Sequence, residues 1–254
     1  MTTAEAAPSA SLRIAVCNLQ SGIGTTRGYW QYLTTGWKYW LPHDSNPILQ
    51  AARFLREARI DLALVNEIEG GSRRSRNVDQ LALLAREAQL EQQVFYPTFV
   101  LGRRVNQGNA ACCRWPLRWV ANHPLPGAGE PRFLSEAELL LPNHTCNVFI
   151  THLALDRLIR TPQIRHVAEL IGRDDRPTLL AGDFNISSEA ELELLDSSVL
   201  QRVVAAPTFP SWAPRRALDH LYFSDHFRLR QAYSFDRYRF ADHLPLVVDL
   251  TPID

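Results

Sequence analysis

Acids, amides and imidazoles recur in this sequence where apolar, strand-like runs begin or end. Asn18 closes the run from Leu12, Glu67 follows Leu62–Val65, and His152 lies at the end of the run from Cys146. Asp183 and Asn185 follow Pro177–Ala181, Asp219 with His220 lies in Leu218–Phe223, and Asp242 with His243 precedes Leu246–Leu250. Buried strands carry few charged side chains, so such groups at strand ends need either solvent or a purpose. Taken singly, an acid after a strand is a turn residue or a helix cap. Six such points in one chain, three of them acids beside an amide or imidazole, are hard to assign to turns alone.

The strongest local signal is Leu179-Leu180-Ala181-Gly182-Asp183-Phe184-Asn185. In extended backbone, alternate residues share a face, so Asp183 and Asn185 lie together and Phe184 lies opposite. A carboxylate and an amide so placed can share one water or one phosphate oxygen. An Asx-turn leading into a helix capped by Ser187 or Ser188 would use the same residues without chemistry.

The elements that must hold these groups alternate early between strand and helix, and strands dominate later. Strands are expected at Leu12–Leu19, Leu62–Val65, Gln93–Leu101, Ala110–Arg114, Arg118–Ala121, Leu139–Leu141 and Cys146–Leu153. Four more follow at Pro177–Ala181, Leu218–Phe223, Phe227–Tyr233 and Leu246–Leu250. Helical apolar spacing marks Pro47–Ala58, with Asn46 as N-cap, and Val78–Ala88. A third helix fits Thr161–Gly172, with Thr161 as cap and Pro162 in the first turn. This pattern predicts an α/β or α+β sandwich of two sheets.

The chain has 254 residues, 46% of them hydrophobic, enough for one large domain with a substantial core. No Pro/Gly/Ser-rich linker or sequence repeat divides it, so residues 11–254 are expected to form a single domain behind a disordered leader, residues 1–10. That leader carries Glu5 and lacks the basic and apolar regions of a secretory signal. No apolar stretch is long enough to span a bilayer. Cys17, Cys112, Cys113 and Cys146 lie in or beside apolar runs, without zinc or disulfide spacing, and are expected to be small buried hydrophobes in a reducing cytoplasm. Net charge is zero, so the composition writes in no strongly basic duplex-binding surface, though charge alone does not exclude a nuclease.

Read together, Ala15-Val16-Cys17-Asn18, Leu64-Val65-Asn66-Glu67, Gly108-Asn109-Ala110, Thr151-His152-Leu153, Gly182-Asp183-Phe184-Asn185, Leu218-Asp219-His220-Leu221 and Ala241-Asp242-His243-Leu244-Pro245-Leu246 resemble the endonuclease/exonuclease/phosphatase superfamily in family order. That superfamily includes deoxyribonuclease, abasic-site endonuclease, neutral sphingomyelinase and inositol-phosphatase relatives. The resemblance implies a four-layer αββα sandwich of two mixed β-sheets flanked by helices, with the site at one end. It implies a divalent-metal-dependent phosphoesterase in which Glu67 is the principal ligand of Mg²⁺ or Mn²⁺, with Asn18 beside the metal and Asp242 a further metal or outer carboxylate. Asp183 would position or deprotonate the attacking water and Asn185 would hold water or phosphate. His243, oriented by Asp219, and His152 would contact the phosphate from opposite sides. The resemblance leaves open whether His243 or Asp183 is the base. Gln20 stands where many members have an acid, Asn66 where Gln is commoner, and His152 where the abasic-site branch has Tyr.

Two features bear on substrate, a phosphate ester with nucleic acid among the candidates. Gly28–Trp40 holds six aromatics and is either a hydrophobic cover over a sheet edge or a substrate-stacking lip that uses Trp37 and Trp40. Arginines at 73, 74 and 76, at 103 and 104, and at 215 and 216 fall in expected loops and would form a polyanion clamp if they converged. Arg76 and Asn109 complete the expected substrate contacts, and a monomer is expected. Three functions stay open: a nuclease-like phosphodiesterase, an enzyme acting on a small molecule or phospholipid headgroup, and a silent binding module on the same fold.

Overall fold

In a computed structural model of the protein, the described residues are 11–172, 175–196, 200–204 and 206–253, so the expected leader lies outside them. The first half runs β1 (Leu12–Asn18), α1 (Trp30–Thr35), α2 (Asn46–Glu57), β2 (Leu62–Glu69), α3 (Gln80–Ala88), β3 (Gln92–Leu101), β4 (Val105–Cys113) and β5 (Leu117–Pro124). The second runs β6 (Phe133–Leu140), β7 (Thr145–His152), α4 (Arg157–Ile171), β8 (Thr178–Asp183), α5 (Glu189–Asp196), β9 (Leu200–Arg202), β10 (Asp219–Ser224), β11 (Phe227–Ser234) and β12 (Leu246–Pro252).

These strands form two six-stranded mixed sheets, ordered β11-β12-β1-β2-β4-β3 and β5-β6-β7-β8-β10-β9. Strand alternation builds the layers. Leu12, Ile14 and Val16 of β1 point into a core shared with Val148, Ile150, Leu179, Ala181 and Leu221 of the other sheet. Ala15 and Cys17, one residue out of phase, pack instead under α2 and α3 with Ile48, Phe54 and Leu84. On the far side Leu180 and Tyr222 meet Ile164 and Val167 of α4 and Leu192 of α5. The result is the expected helix–sheet–sheet–helix sandwich. All four cysteines are buried and unpaired.

Each sheet contains one parallel pair: β1 with β2, joined through α2, and β7 with β8, joined through α4. A parallel pair needs a crossover, so both of its strands end at the same edge. β10 runs antiparallel to β8 and starts there, with Asp219 opposite Asp183.

Several boundaries differ from the sequence reading. α4 begins a turn earlier than expected, because Asp156 caps it by accepting from the Leu158 amide, and Pro162 sits inside the helix. α2 begins at Asn46 with Ser45 at the cap position, while Asp44 accepts from the Asn46 amide. The aromatic segment folds into α1 and a 3-10 turn, Gly36–Tyr39, and α5 and β9 carry no clear sequence pattern.

Candidate active site

The inward face of each sheet is apolar until the edge where the parallel pairs end, and there the same faces turn polar. Asn18 continues the inward series Leu12, Ile14, Val16; His152 continues Val148, Ile150; Asp183 continues Leu179, Ala181; Asp219 precedes Leu221 and Phe223. His220, one residue on, points the other way, where its Nε2 meets the Ile186 carbonyl oxygen at 3.1 Å.

Glu67 breaks the alternation. By parity with Val65 it would face the helices, but it adopts φ +53°, and the pairing of β2 with β4 shifts register between Val65 and Ile68. A bulge re-aims a side chain in this way, at the cost of a left-handed conformation for a residue with a Cβ. Its carboxylate thereby reaches Asn18, whose Nδ2 donates to Glu67 Oε1 and to Asp183 Oδ2, both at 3.0 Å.

Asp183 Oδ2 is the point of convergence. His152 Nε2 stands 3.6 Å from it and His243 Nε2 3.7 Å, while His152 Nδ1 lies 4.0 Å from Glu67 Oε1. The Asp183 amide donates to Asn66 Oδ1 at 2.8 Å, and Asn66 Nδ2 donates to Asn109 Oδ1 and to the Thr151 carbonyl. This buried amide ties the two sheets together directly beneath the carboxylates. The fit depends on Gly182 (φ +142°), where a Cβ would lie 1.9 Å from the Thr151 carbonyl oxygen. Asn185, also left-handed, donates from Nδ2 to the Leu153 carbonyl and from its amide to Asp183 Oδ1.

His243 is held from behind. Its Nδ1 is 2.8 Å from Asp219 Oδ2, which also accepts from the Thr208 hydroxyl at 2.5 Å. The carboxylate accepts from Nδ1–H, which fixes the ring's orientation and turns Nε2 toward Asp183. Asp183, Asp219 and His243 bring ligand-type atoms within 4.8 Å of one another. Asp219 Oδ2 is already committed to two donors, the Thr208 hydroxyl and His243 Nδ1, so hydrogen bonds tie this trio together. Asp242 Oδ2 accepts from the Tyr32 hydroxyl at 2.6 Å, and its Oδ1, like that of Asp219, is buried with no hydrogen-bond partner among the described residues. Together with Glu67 it forms an oxygen set with unused lone pairs, which suits a hard cation.

Burial and like charges disturb these groups in opposite senses. Burial first, then Asp242, pushes the Glu67 carboxyl up to about 7, with Asp183 adding to the effect. Burial, partly countered by His243, raises Asp183 to about 6, and it raises Asp242 as well. Burial drives His152 well below the ordinary histidine value, with Arg132 and His243 in support. Burial acts the same way on His243, but the carboxylates of Asp219 and Asp183 outweigh it, and its pKa is well above the ordinary value. One imidazole is thus neutral and its neighbour cationic, on either side of one carboxylate.

These groups floor a cavity of about 700 Å³. Its walls take Tyr32 and Tyr39 from the aromatic segment and Arg74 and Arg216 from the arginine clusters, and they bring in Phe99, Arg132 and Phe209, which the sequence reading does not flag. Gln20 is buried and donates to the Thr25 and Tyr39 hydroxyls, so it anchors the aromatic segment. Of the expected substrate contacts, Trp40 lines the cavity and Trp37 does not. Asn109 lies beneath the floor, donating to the Ser135 hydroxyl and accepting from Asn66. The expected arginine clusters converge only in part: Arg74 and Arg216 line the cavity, whereas Arg76 faces a separate depression with His43 and Asp79, and Arg73, Arg103 and Arg104 gather around a third.

The profile of the Endonuclease/Exonuclease/phosphatase family matches residues 15–243. No curated protein matches the sequence. Among solved structures, an endonuclease/exonuclease/phosphatase from Beutenbergia cavernae DSM 12333 superposes with TM-score 0.74 at 20% identity, over 95% of this chain and 72% of that one. The mannosyl-6-phosphatase of Bacteroides thetaiotaomicron VPI-5482 gives 0.69 at 16%, over 94% and 99%. The human Nocturnin catalytic domain with bound sulfate gives 0.67 at 17%, over 97% and 94%. At these identities the likeness is one of fold.

Proposed function

Because the chain belongs to the endonuclease/exonuclease/phosphatase family, we propose that it is a divalent-metal-dependent phosphodiesterase that hydrolyses its substrate with an activated water. The observation that carries this reading is the convergence of Asn18, His152 and His243 on Asp183 Oδ2, beside Glu67, at the floor of an open cavity. Glu67 and Asp242, with Asn18 adjoining, would hold Mg²⁺ or Mn²⁺; the unpartnered Asp242 Oδ1 and the crowding of carboxylates fit such an ion. When bound, the ion would polarise a phosphoryl oxygen and offset the charge on the leaving group.

The chain's own groups supply the rest. Asp183, fixed through its amide by Asn66 and through Oδ2 by Asn18, orients the attacking water and accepts its proton. His243, with Nδ1–H given to Asp219, presents Nε2–H to a phosphoryl oxygen as negative charge builds there. His152 presents its neutral imidazole from the other side. Asn185 holds Leu153 in place and fixes the turn that carries Asp183.

A nuclease-like substrate keeps support from the cavity's aromatic wall, Trp40, Phe99 and Phe209, and from Arg132 and Arg216. A small molecule or phospholipid headgroup is favoured by a different observation: the arginines at 73, 76, 103 and 104 lie away from the cavity, so no long basic track leads to it. A panel of plasmid, single-stranded DNA, RNA, sphingomyelin and inositol phosphates, assayed with Mg²⁺ or Mn²⁺, separates the two. Cleavage of at least one diester is expected, and cleavage of monoesters alone would contradict the proposal.

A further inference from the structure

We propose that the aromatic segment carrying α1 is a docking surface for the headgroup layer of a phospholipid bilayer, placed beside the mouth of the catalytic cavity. The segment has two sides. Its inner side is tied to the site: Tyr32 donates to Asp242, the Tyr39 hydroxyl accepts from Gln20, and the Thr35 hydroxyl lies 3.2 Å from that of Thr25. Its outer side carries Trp30 (58% exposed), Leu33 (89%), Trp37, Trp40 and Leu41, which no other described residue covers. A cover over a sheet edge would bury these side chains, so the covering role does not account for them. Exposed apolar groups gathered at one place mark an interaction surface rather than ordinary scatter.

Three observations select a bilayer as the occupant. From Leu19 to His43 the chain has no acidic residue; its only charges are Arg27, which is exposed, and Lys38, whose Nζ turns inward to donate to the Ile23 carbonyl at 2.9 Å. Tryptophan and tyrosine beside cationic side chains, with leucine at the tip, is the composition that settles at a membrane–water interface, and it complements anionic headgroups. The same cavity mouth carries further exposed leucine: Leu155 (77% exposed), which lines it with Trp40, stands near Leu158 (84%) at the start of α4, beside Asp156 and Arg157. Nucleic acid would favour stacking aromatics backed by arginines; Arg132 and Arg216 lie in the cavity wall, but the most exposed side chains of this outer face are leucines, and the arginines at 73, 103 and 104 face another depression. Among the described residues no helix is long and apolar enough to cross a membrane, so the contact proposed is peripheral. Docking in this way would turn the cavity mouth toward the headgroups, with Tyr32 linking the docked helix to Asp242.

The test is co-sedimentation of the full chain with vesicles of phosphatidylcholine, and of phosphatidylcholine mixed with phosphatidylserine, with tryptophan emission recorded alongside. Binding is expected to both, more strongly to the anionic mixture, with a blue shift. The double variant Trp30→Ser, Leu33→Ser is expected to lose about tenfold or more in partitioning, since binding scales with the apolar area inserted. Trp119→Ser, which alters an exposed tryptophan on β5, is expected to bind as the parent does. Melting temperatures of all three proteins should agree, because the altered side chains are exposed. No sedimentation of the parent, or equal binding by the double variant, would overturn the proposal. So would a concentration-dependent dimer that the double variant abolishes without any vesicle binding, which would give the face to a second copy of the chain. Vesicle binding requires no turnover, so its outcome is independent of the phosphodiesterase reading.

Discussion

Replacing Glu67 by glutamine is expected to stabilise the metal-free protein at pH 8, although it removes a residue central to the proposed chemistry. Glu67 is held in a left-handed bulge, its side chain only 19% exposed, with the carboxylates of Asp242 and Asp183 nearby. Burial and those neighbours lift its pKa from 4.5 to about 7. A tenfold change in proton affinity corresponds to about 1.4 kcal/mol, so the charged form costs the fold about 2–3 kcal/mol once partial exposure is allowed for. A carboxyl with a higher pKa in the folded state adds no penalty below its unfolded value, because it is protonated in both states. The penalty grows as pH rises from about 4.5 to about 7, where the unfolded chain has released a proton that the folded protein retains, and is constant above that.

Glutamine keeps an oxygen for the Asn18 donor and carries no charge. Urea denaturation in EDTA should therefore show parent and Glu67→Gln nearly equal at pH 4.5 and the variant ahead by about 2–3 kcal/mol at pH 8. Adding Mg²⁺ should close the gap at a hundredfold excess over Kd, where binding to the folded parent contributes about 2.7 kcal/mol, and reverse the order at a thousandfold excess, where it contributes about 4.1 kcal/mol. A variant equal to or less stable than the parent at pH 8 without metal would refute the view that these carboxylates are held together against their own repulsion.

Two further predictions concern turnover and specificity. Asp183→Asn and His243→Ala should each lower kcat by roughly two to four orders of magnitude, because each removes an interaction made in the transition state, while circular dichroism spectra remain those of the parent. Trp40→Ala should reduce hydrolysis of the true substrate more than that of bis-p-nitrophenyl phosphate, whereas Trp37→Ala, off the cavity wall, should affect both little. Equal losses for both tryptophans, with a lowered Tm, would return the segment to a packing role.

Much of this architecture is legible in the sequence because strands and their ends obey a period of two. The inward series of β1, β7 and β8 can be extended by eye to Asn18, His152 and Asp183, and the same rule separates Asp219 from His220. Parity fails at Glu67, where a bulge with no sequence mark turns the side chain around. Local motifs also do not reveal depth. Asn109 belongs to a recognisable triplet but lies beneath the floor, spent on Asn66 and Ser135. Tyr32 and Thr208, which hold Asp242 and Asp219, come from segments distant in sequence, and no spacing links them to their partners. α1 is hidden because its six residues, Trp30–Thr35, are too few to show a helical period, and α4 starts early because Asp156, rather than Thr161, supplies the cap.

The most direct test of the account is turnover of bis-p-nitrophenyl phosphate by protein stripped with EDTA, before and after metal is restored. If Glu67 and Asp242 hold a hard cation over Asp183, the stripped protein should be inactive, Mg²⁺ or Mn²⁺ should restore hydrolysis, and Zn²⁺ should serve poorly. Full turnover by the metal-free protein would contradict it.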